Sequence, residues 1–378
     1  MMRVPTTRWY MLLRIAVLGL CCALAAVVLA LPAAADWPCF RGGPEMTGVA
    51  ELPFTDSPRL LWTYETGSSV ESTAAIVADT VYVGTMTHAL LALRLADGRL
   101  KWKFLARAAI SAAPCVVGNT VYCGDEGGTF YAVNATNGRQ VWKLTTGDQI
   151  KSSATPAPGA VLVGSYDNHL YKLDLATGRK LWSFKSDAQV HCAPCVVSGL
   201  AVIAGCDGMV RMIDLRTGRQ QAAADLSANF ATAPAYGSGA VFVGSMNGEY
   251  ASVRLSDAKI LWQAVARKNG GASYASAAVR GDAVIFASRN NTVFRLDRAS
   301  GSTRWVFNAG DAVDSSPVIA GNRVFFGCDD GNIYALDLAS GRQVWQFSAG
   351  AAVTASPAIA HRRLVIGSTD GAIYCFGR

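Results

Sequence analysis

AVDSSPVIAGNRVFFGCDDGNIYALDLASGRQVWQF, residues 312–347, decides the fold, because the chain repeats it closely as QIKSSATPAPGAVLVGSYDNHLYKLDLATGRKLWSF at residues 149–184. Each copy divides into four short apolar runs rich in β-branched and aromatic residues, separated by Gly321-Asn322, Asp330-Gly331 and Ser340-Gly341 in the later copy. Such pairs supply the positive φ that tight hairpins need. About ten residues per strand and turn make a four-stranded antiparallel meander. The period runs through the chain. Trp62, Trp102, Trp142 and Trp182 stand 40 apart, two further steps reach Ala222 and Trp262, and Trp305 and Trp345 follow. Seven of the nine tryptophans lie on this ladder.

Four-stranded units at this period predict a β-propeller. A solenoid would need polar capping repeats, and neither end carries one. The ladder gives eight blades. The last unit stops at Ile373-Tyr374-Cys375-Phe376, which matches a third strand, while an unattached outer strand stands at Leu60–Glu65. The expectation is an all-β, eight-bladed propeller over residues 60–378, closed by pairing of this N-terminal strand with the last blade, which hides edges that would otherwise lie open. One tryptophan per blade at a fixed place reads as a wedge between neighbouring blades. Ala222 lacks the wedge, and the next unit has Asp257-Ala258 where others have a glycine-ended turn, so the seam between blades four and five is expected to be the loosest.

Ahead of the repeats, Arg3, Arg8 and Arg14 precede an uncharged run from Ile15 to Leu31 and then Ala33-Ala34-Ala35. This is the layout of a secretory signal over residues 1–35, with an uncleaved anchor as the alternative. Residues 36–59 are a lead-in segment. Cleavage would lower the formal net charge of +7 by three, and the basic residues are scattered. Nucleic acid is therefore excluded as a partner, and a periplasmic or cell-envelope protein acting as a monomer is expected. Cleavage would also leave eight of ten cysteines, a number that permits disulfides outside the cytosol without fixing a pairing.

Aligning the repeats places one residue per blade at the start of the innermost strand: Glu71, Ser111, Lys151, His191, Ala231, Tyr274, Asp314 and Thr354. Glu71, Lys151, His191, Tyr274 and Asp314 are the candidate ligand-binding residues of a central funnel. Cys192-Ala193-Pro194-Cys195 spells a redox motif, but such a motif needs a helix start to lower a thiol pKa, and a strand is expected here. No nucleophile elbow, phosphate loop or zinc-protease motif is present.

The periodic text resembles the quinoprotein-type (PQQ-like) propeller repeat, an Asp-Gly, then aromatic-Ala-Leu-Asp, then Ser/Thr-Gly, then Trp, as in DGNIYALDLASGRQVW at 330–345. Asp36-Trp37-Pro38-Cys39-Phe40-Arg41-Gly42 resembles the lead-in of exported members. The resemblance implies either a non-catalytic scaffold like the BamB-type outer-membrane assembly factors, binding protein partners or extended polypeptide, or a minimal oxidoreductase using PQQ with calcium. A carbohydrate- or small-molecule-binding funnel is the third reading. The large insertions and off-ladder tryptophan of the quinone enzymes are missing from the repeats, and so is the lipid-modified cysteine usual in BamB-type factors. No catalytic residue is assigned.

Overall fold

The computed structural model describes residues 36–265 and 271–378. The secretory-signal reading over residues 1–35 lies outside the described residues. The rest forms eight sheets, one per blade. Blades one to seven occupy residues 75–105, 115–145, 155–185, 195–225, 235–265, 278–308 and 318–348. The eighth comprises Ala358–Ala360, Arg363–Gly367 and Ala372–Gly377, with Arg59–Glu65 as its outer strand. That outer strand runs antiparallel to Ala372–Gly377, with Trp62 opposite Cys375 and Tyr64 opposite Ile373. The ring therefore closes as the sequence predicts.

Burial explains the strand patterns. Second strands such as Thr80–Gly84 and Ala160–Gly164 are buried along their whole length, because blades pack on both faces, so they read as unbroken apolar runs. Outer strands such as Leu100–Leu105 alternate, packing only on the inner side. In all eight outer strands the register slips by one residue just before the ladder position, at Lys101, Val141, Leu181, Gln221, Leu261, Arg304, Val344 and Leu61. A bulge there twists the edge and blunts it against uncontrolled pairing.

The tryptophans join blades as expected, by a mechanism more specific than wedging. The indole N–H groups of Trp62, Trp102, Trp142, Trp182, Trp262 and Trp305 donate to carbonyls of Leu95, Ala135, Leu175, Leu215, Arg298 and Leu338 in the next blade, at 2.8–3.0 Å. Each ring covers a turn glycine of that blade. A Cβ on Gly98, Gly138, Gly178, Gly218, Gly301 or Gly341 would fall 2.5–2.8 Å from the indole. Glycine is needed twice over, for the contact and for its positive φ. Where Ala222 replaces the indole, Ala258 replaces the glycine and keeps the left-handed backbone at φ 57°. The two departures from the repeat are one compensated change. A 410 Å³ cleft opens at this seam against Leu200, Tyr236, Ala240 and Leu255. One apolar cluster nonetheless runs across both blades, with Met46 and Phe40 of the lead-in packed into it.

The lead-in is a strap across the inner strands. Ile76 exchanges two backbone hydrogen bonds with Trp37, at 2.7 and 2.8 Å. Val116, Val196, Tyr236, Val279 and Ile319 donate to carbonyls of Pro38, Pro44, Glu45, Thr47 and Gly48, at 2.7–3.0 Å. These six donors occupy one repeat position in blades one, two, four, five, six and seven. Blade three carries Pro156 there, which has no N–H to give. Arg41 ties the strap further, its guanidinium donating to the carbonyls of Ala277, Ser316 and Pro317 at 2.9, 3.2 and 2.5 Å. It is 1% exposed, and burial lowers its pKa to about 9.

The eight cysteines in the described residues are unpaired and, except for half-buried Cys206, buried. The permitted disulfides are thus not formed in this structure. Cys192 lies in the bend before the innermost strand Cys195–Val197, so only half of the Cys-x-x-Cys motif is in a strand. Cys192 Sγ donates to the Ala204 carbonyl and Cys195 Sγ to that of Glu45. Burial pushes the Cys192 thiol up to about 12, the opposite of what a redox motif needs.

Candidate functional site in the central funnel

Glu71, Lys151, His191, Tyr274 and Asp314 line one central cavity, together with Ser111 and Ala231. Thr354 is the ring member not found among its lining residues. The ring lies one step earlier than the sequence suggests. Glu71, for example, stands just before the bend at Ser72, four residues ahead of the innermost strand Ala75–Val77.

Below this ring the channel wall is a belt of small residues. Ser153, Ser276, Ser316, Ser356 and Thr73 each accept a hydrogen bond through the hydroxyl from the backbone N–H of the preceding blade, at 2.9–3.3 Å. This fixes neighbouring inner strands to one another and leaves little room. The cavity measures 160 Å³, and Phe40 of the strap stands in its wall.

A second polar ring escaped the sequence reading. It falls at one repeat position just after the second strand, where Glu126, Tyr166, Cys206, Arg289 and Asp329 stand, with Met86 and Met246 in blades one and five. The same forty-residue alignment that found the first ring contains this column. The two rings interlock. Ser111 donates to Glu126 Oε1 at 2.7 Å, and Lys151 Nζ lies 3.4 Å from the same atom. Tyr166 Oη and His191 Nδ1 are 2.6 Å apart. Arg289 bridges Asp314 at 2.5 Å and sits 4.2 Å over the Tyr274 ring.

These contacts set the charge states. Burial, and then Lys151, depress the His191 pKa, so its imidazole is neutral at pH 7. Burial raises the Tyr166 hydroxyl to about 12, with Cys206 and Glu126 adding to the effect. Burial and then Asp314 raise Asp329, one of whose oxygens is buried without a hydrogen-bond partner. The funnel holds acids, bases and phenols, but most are already satisfied by each other.

Calcium with PQQ does not fit this arrangement. Calcium takes six to eight oxygen ligands, whereas Glu126 is held by Ser111 and Lys151, and Asp314 by Arg289. Among the described residues, no three His, Cys, Asp or Glu stand together where they could hold a metal ion. A 160 Å³ cavity is also below the roughly 300–1,000 Å³ usual for organic ligands, and no tryptophan lines it to serve as a floor.

Solved structures repeat this architecture. BamB from Moraxella catarrhalis superposes with a TM-score of 0.74 at 18% identity, over 85% of this chain and 98% of that one. Quinohemoprotein alcohol dehydrogenase from Comamonas testosteroni gives 0.79 at 13% identity, over 91% and 80%. A europium-containing methanol dehydrogenase gives 0.80 at 13%, over 91% and 98%. At such identities the likeness concerns the fold, which assembly factor and dehydrogenase share. No curated protein matches the chain. The family model described as "Outer membrane protein assembly factor BamB" matches residues 54–160, 151–277 and 268–378. With nearly all of the propeller covered, the chain belongs to that family.

Proposed function

We propose that the protein is an exported, non-catalytic scaffold that holds an extended segment of a partner protein during cell-envelope protein assembly. The observation that carries this reading is the distribution of exposed apolar side chains. Leu60, Leu61, Leu100, Leu105, Val141, Leu181, Leu261, Val265 and Val344 are the exposed large hydrophobics of the described residues, and every one lies on an outermost strand. Five of them, Leu61, Val141, Leu181, Leu261 and Val344, are the bulged residues before the ladder tryptophans. The bulge turns each outward as an apolar knob beside a short free strand edge. An extended chain recognises such a rim through main-chain pairing and alternate side chains. The match to the BamB family and the funnel's small volume support the same reading.

The test is fluorescence anisotropy with labelled, unfolded β-rich envelope-protein fragments. Val141→Lys with Leu181→Lys should weaken capture at least tenfold while the thermal midpoint holds. Capture unchanged by these substitutions refutes the proposal. A small polar ligand in the funnel is the second reading, favoured by the Tyr166–His191 hydrogen bond and the raised Asp329. It predicts loss of binding on His191→Gln and no effect of the rim substitutions.

A further inference from the structure

A cleft of 1,140 Å³, apart from the funnel, lies beside the closing strand that carries Leu61. Its walls are the linker from Leu52 to Arg59, the Gly321-Asn322 turn of blade seven, the Arg362-Arg363 turn of blade eight, and Arg378. Four arginines therefore meet there: Arg59, Arg362, Arg363 and Arg378. The closing strand brings them together. Arg59 stands opposite Gly377 in the register. The Arg363 Nη1 atom lies so near Gly377 that a Cβ on that residue would be 2.8 Å away. Arg378 is the next residue.

The carboxylates around this cleft are spent elsewhere. Asp56, the one acidic residue in its lining, has an oxygen 3.0 Å from Arg323 Nε. Asp36, near the same turn, is 2.7 Å from His361 Nε2. Arg363 donates to the Arg362 carbonyl at 3.2 Å, a neutral partner. Four guanidinium groups around a cleft whose one acidic side chain is already ion-paired repel one another, so the fold bears a cost here.

The backbone bears a cost as well. Arg362 holds φ 57° at the second residue of its turn. Sister blades with positive φ at that position use Gly159, Gly199 and Gly239. The others place Asp79, Asn119, Asp282 or Asn322 there. Arginine in the left-handed region is strained, and such strain concentrates where function requires it.

We propose that this cleft binds a compact multivalent anion, two or more phosphate or sulfate groups carried on a small organic body. Guanidinium pairs match such oxyanions bidentately, and Leu52 with Pro53 offers an apolar wall for the carrier. The same groups are found on free phosphorylated or sulfated sugars and on lipid headgroups.

The test is calorimetric titration of the full chain with inositol hexakisphosphate, with a sulfated tetrasaccharide, and with vesicles containing phosphatidylglycerol. At least one should bind with a dissociation constant of about 100 µM or tighter at low salt, weakening steeply as salt rises. Arg59→Gln with Arg363→Gln should weaken binding at least tenfold. Arg362→Gly is the sharper variant. It should weaken binding at least threefold while the urea midpoint stays level or rises, because glycine suits that turn. Binding to vesicles alone, lost in these variants, assigns the headgroup as the source, and binding of the soluble probes assigns the sugar. Dissociation constants above about 1 mM for all three probes, or binding indifferent to the arginine substitutions, overturns the proposal.

Discussion

Restoring the missing indole at Ala222 should fail alone and succeed only with a second change. In the six sister seams, the turn residue facing the indole is glycine, and a Cβ there would come within 2.5–2.8 Å of the ring. Ala222→Trp alone would drive its ring into the Ala258 methyl. Overpacking of that kind costs about 1–3 kcal/mol. With Ala258→Gly added, the clash is gone, and the indole N–H comes within reach of the Leu255 carbonyl. Leu255 is the counterpart of the acceptors that sister indoles meet at 2.8–3.0 Å. That hydrogen bond contributes about 1 kcal/mol. The coupling between the two substitutions should therefore be about 2–4 kcal/mol in a double-mutant cycle. Urea unfolding of the parent, the two single variants and the double variant measures it. A coupling below about 0.5 kcal/mol, the range of independent sites, would show that the seam is built on another principle.

Arg41→Leu should lower stability by about 2–4 kcal/mol, since it leaves three buried carbonyls without their charged donor, and limited proteolysis should then release the strap first. Stability should decline as pH falls below about 6.5, the ordinary histidine value, because the depressed pKa of His191 lets the unfolded chain take up a proton before the folded one. His191→Gln should flatten the midpoint profile from there down to the carboxylate range, whereas an unchanged slope would assign it to other groups. A thiol reagent added to the native protein should modify half-buried Cys206 well before the buried cysteines, as mass spectrometry of timed samples would show. Equal rates for Cys206 and Cys123, whose thiol burial pushes up to about 12, would contradict the burial described.

The ladder made blade number, strand order and ring closure readable from sequence, because each rests on a side chain that recurs every forty residues. The inner ring was readable for the same reason. The strap was not. Its hold on six blades runs through backbone carbonyls, which leave no mark in the sequence except Pro156, where the pattern of donors breaks. Arg41 is likewise opaque, since an arginine after Phe40 reads as a solvated turn and becomes a buried tie only once Ala277, Ser316 and Pro317 are brought around it. The funnel's narrowness was equally hidden. It follows from serine hydroxyls bonding across seams, and the interlocked rings that satisfy Glu126, Asp314 and His191 depend on which neighbours the curvature of the ring brings together.

The central claim, that the rim and not the funnel meets the partner, is tested most directly by a photocrosslinking amino acid placed in living cells at Leu181 or Leu261 and, separately, at Glu71 or Tyr274. The account predicts adducts with envelope proteins from the rim positions and none from the funnel. Adducts confined to the funnel positions would contradict it.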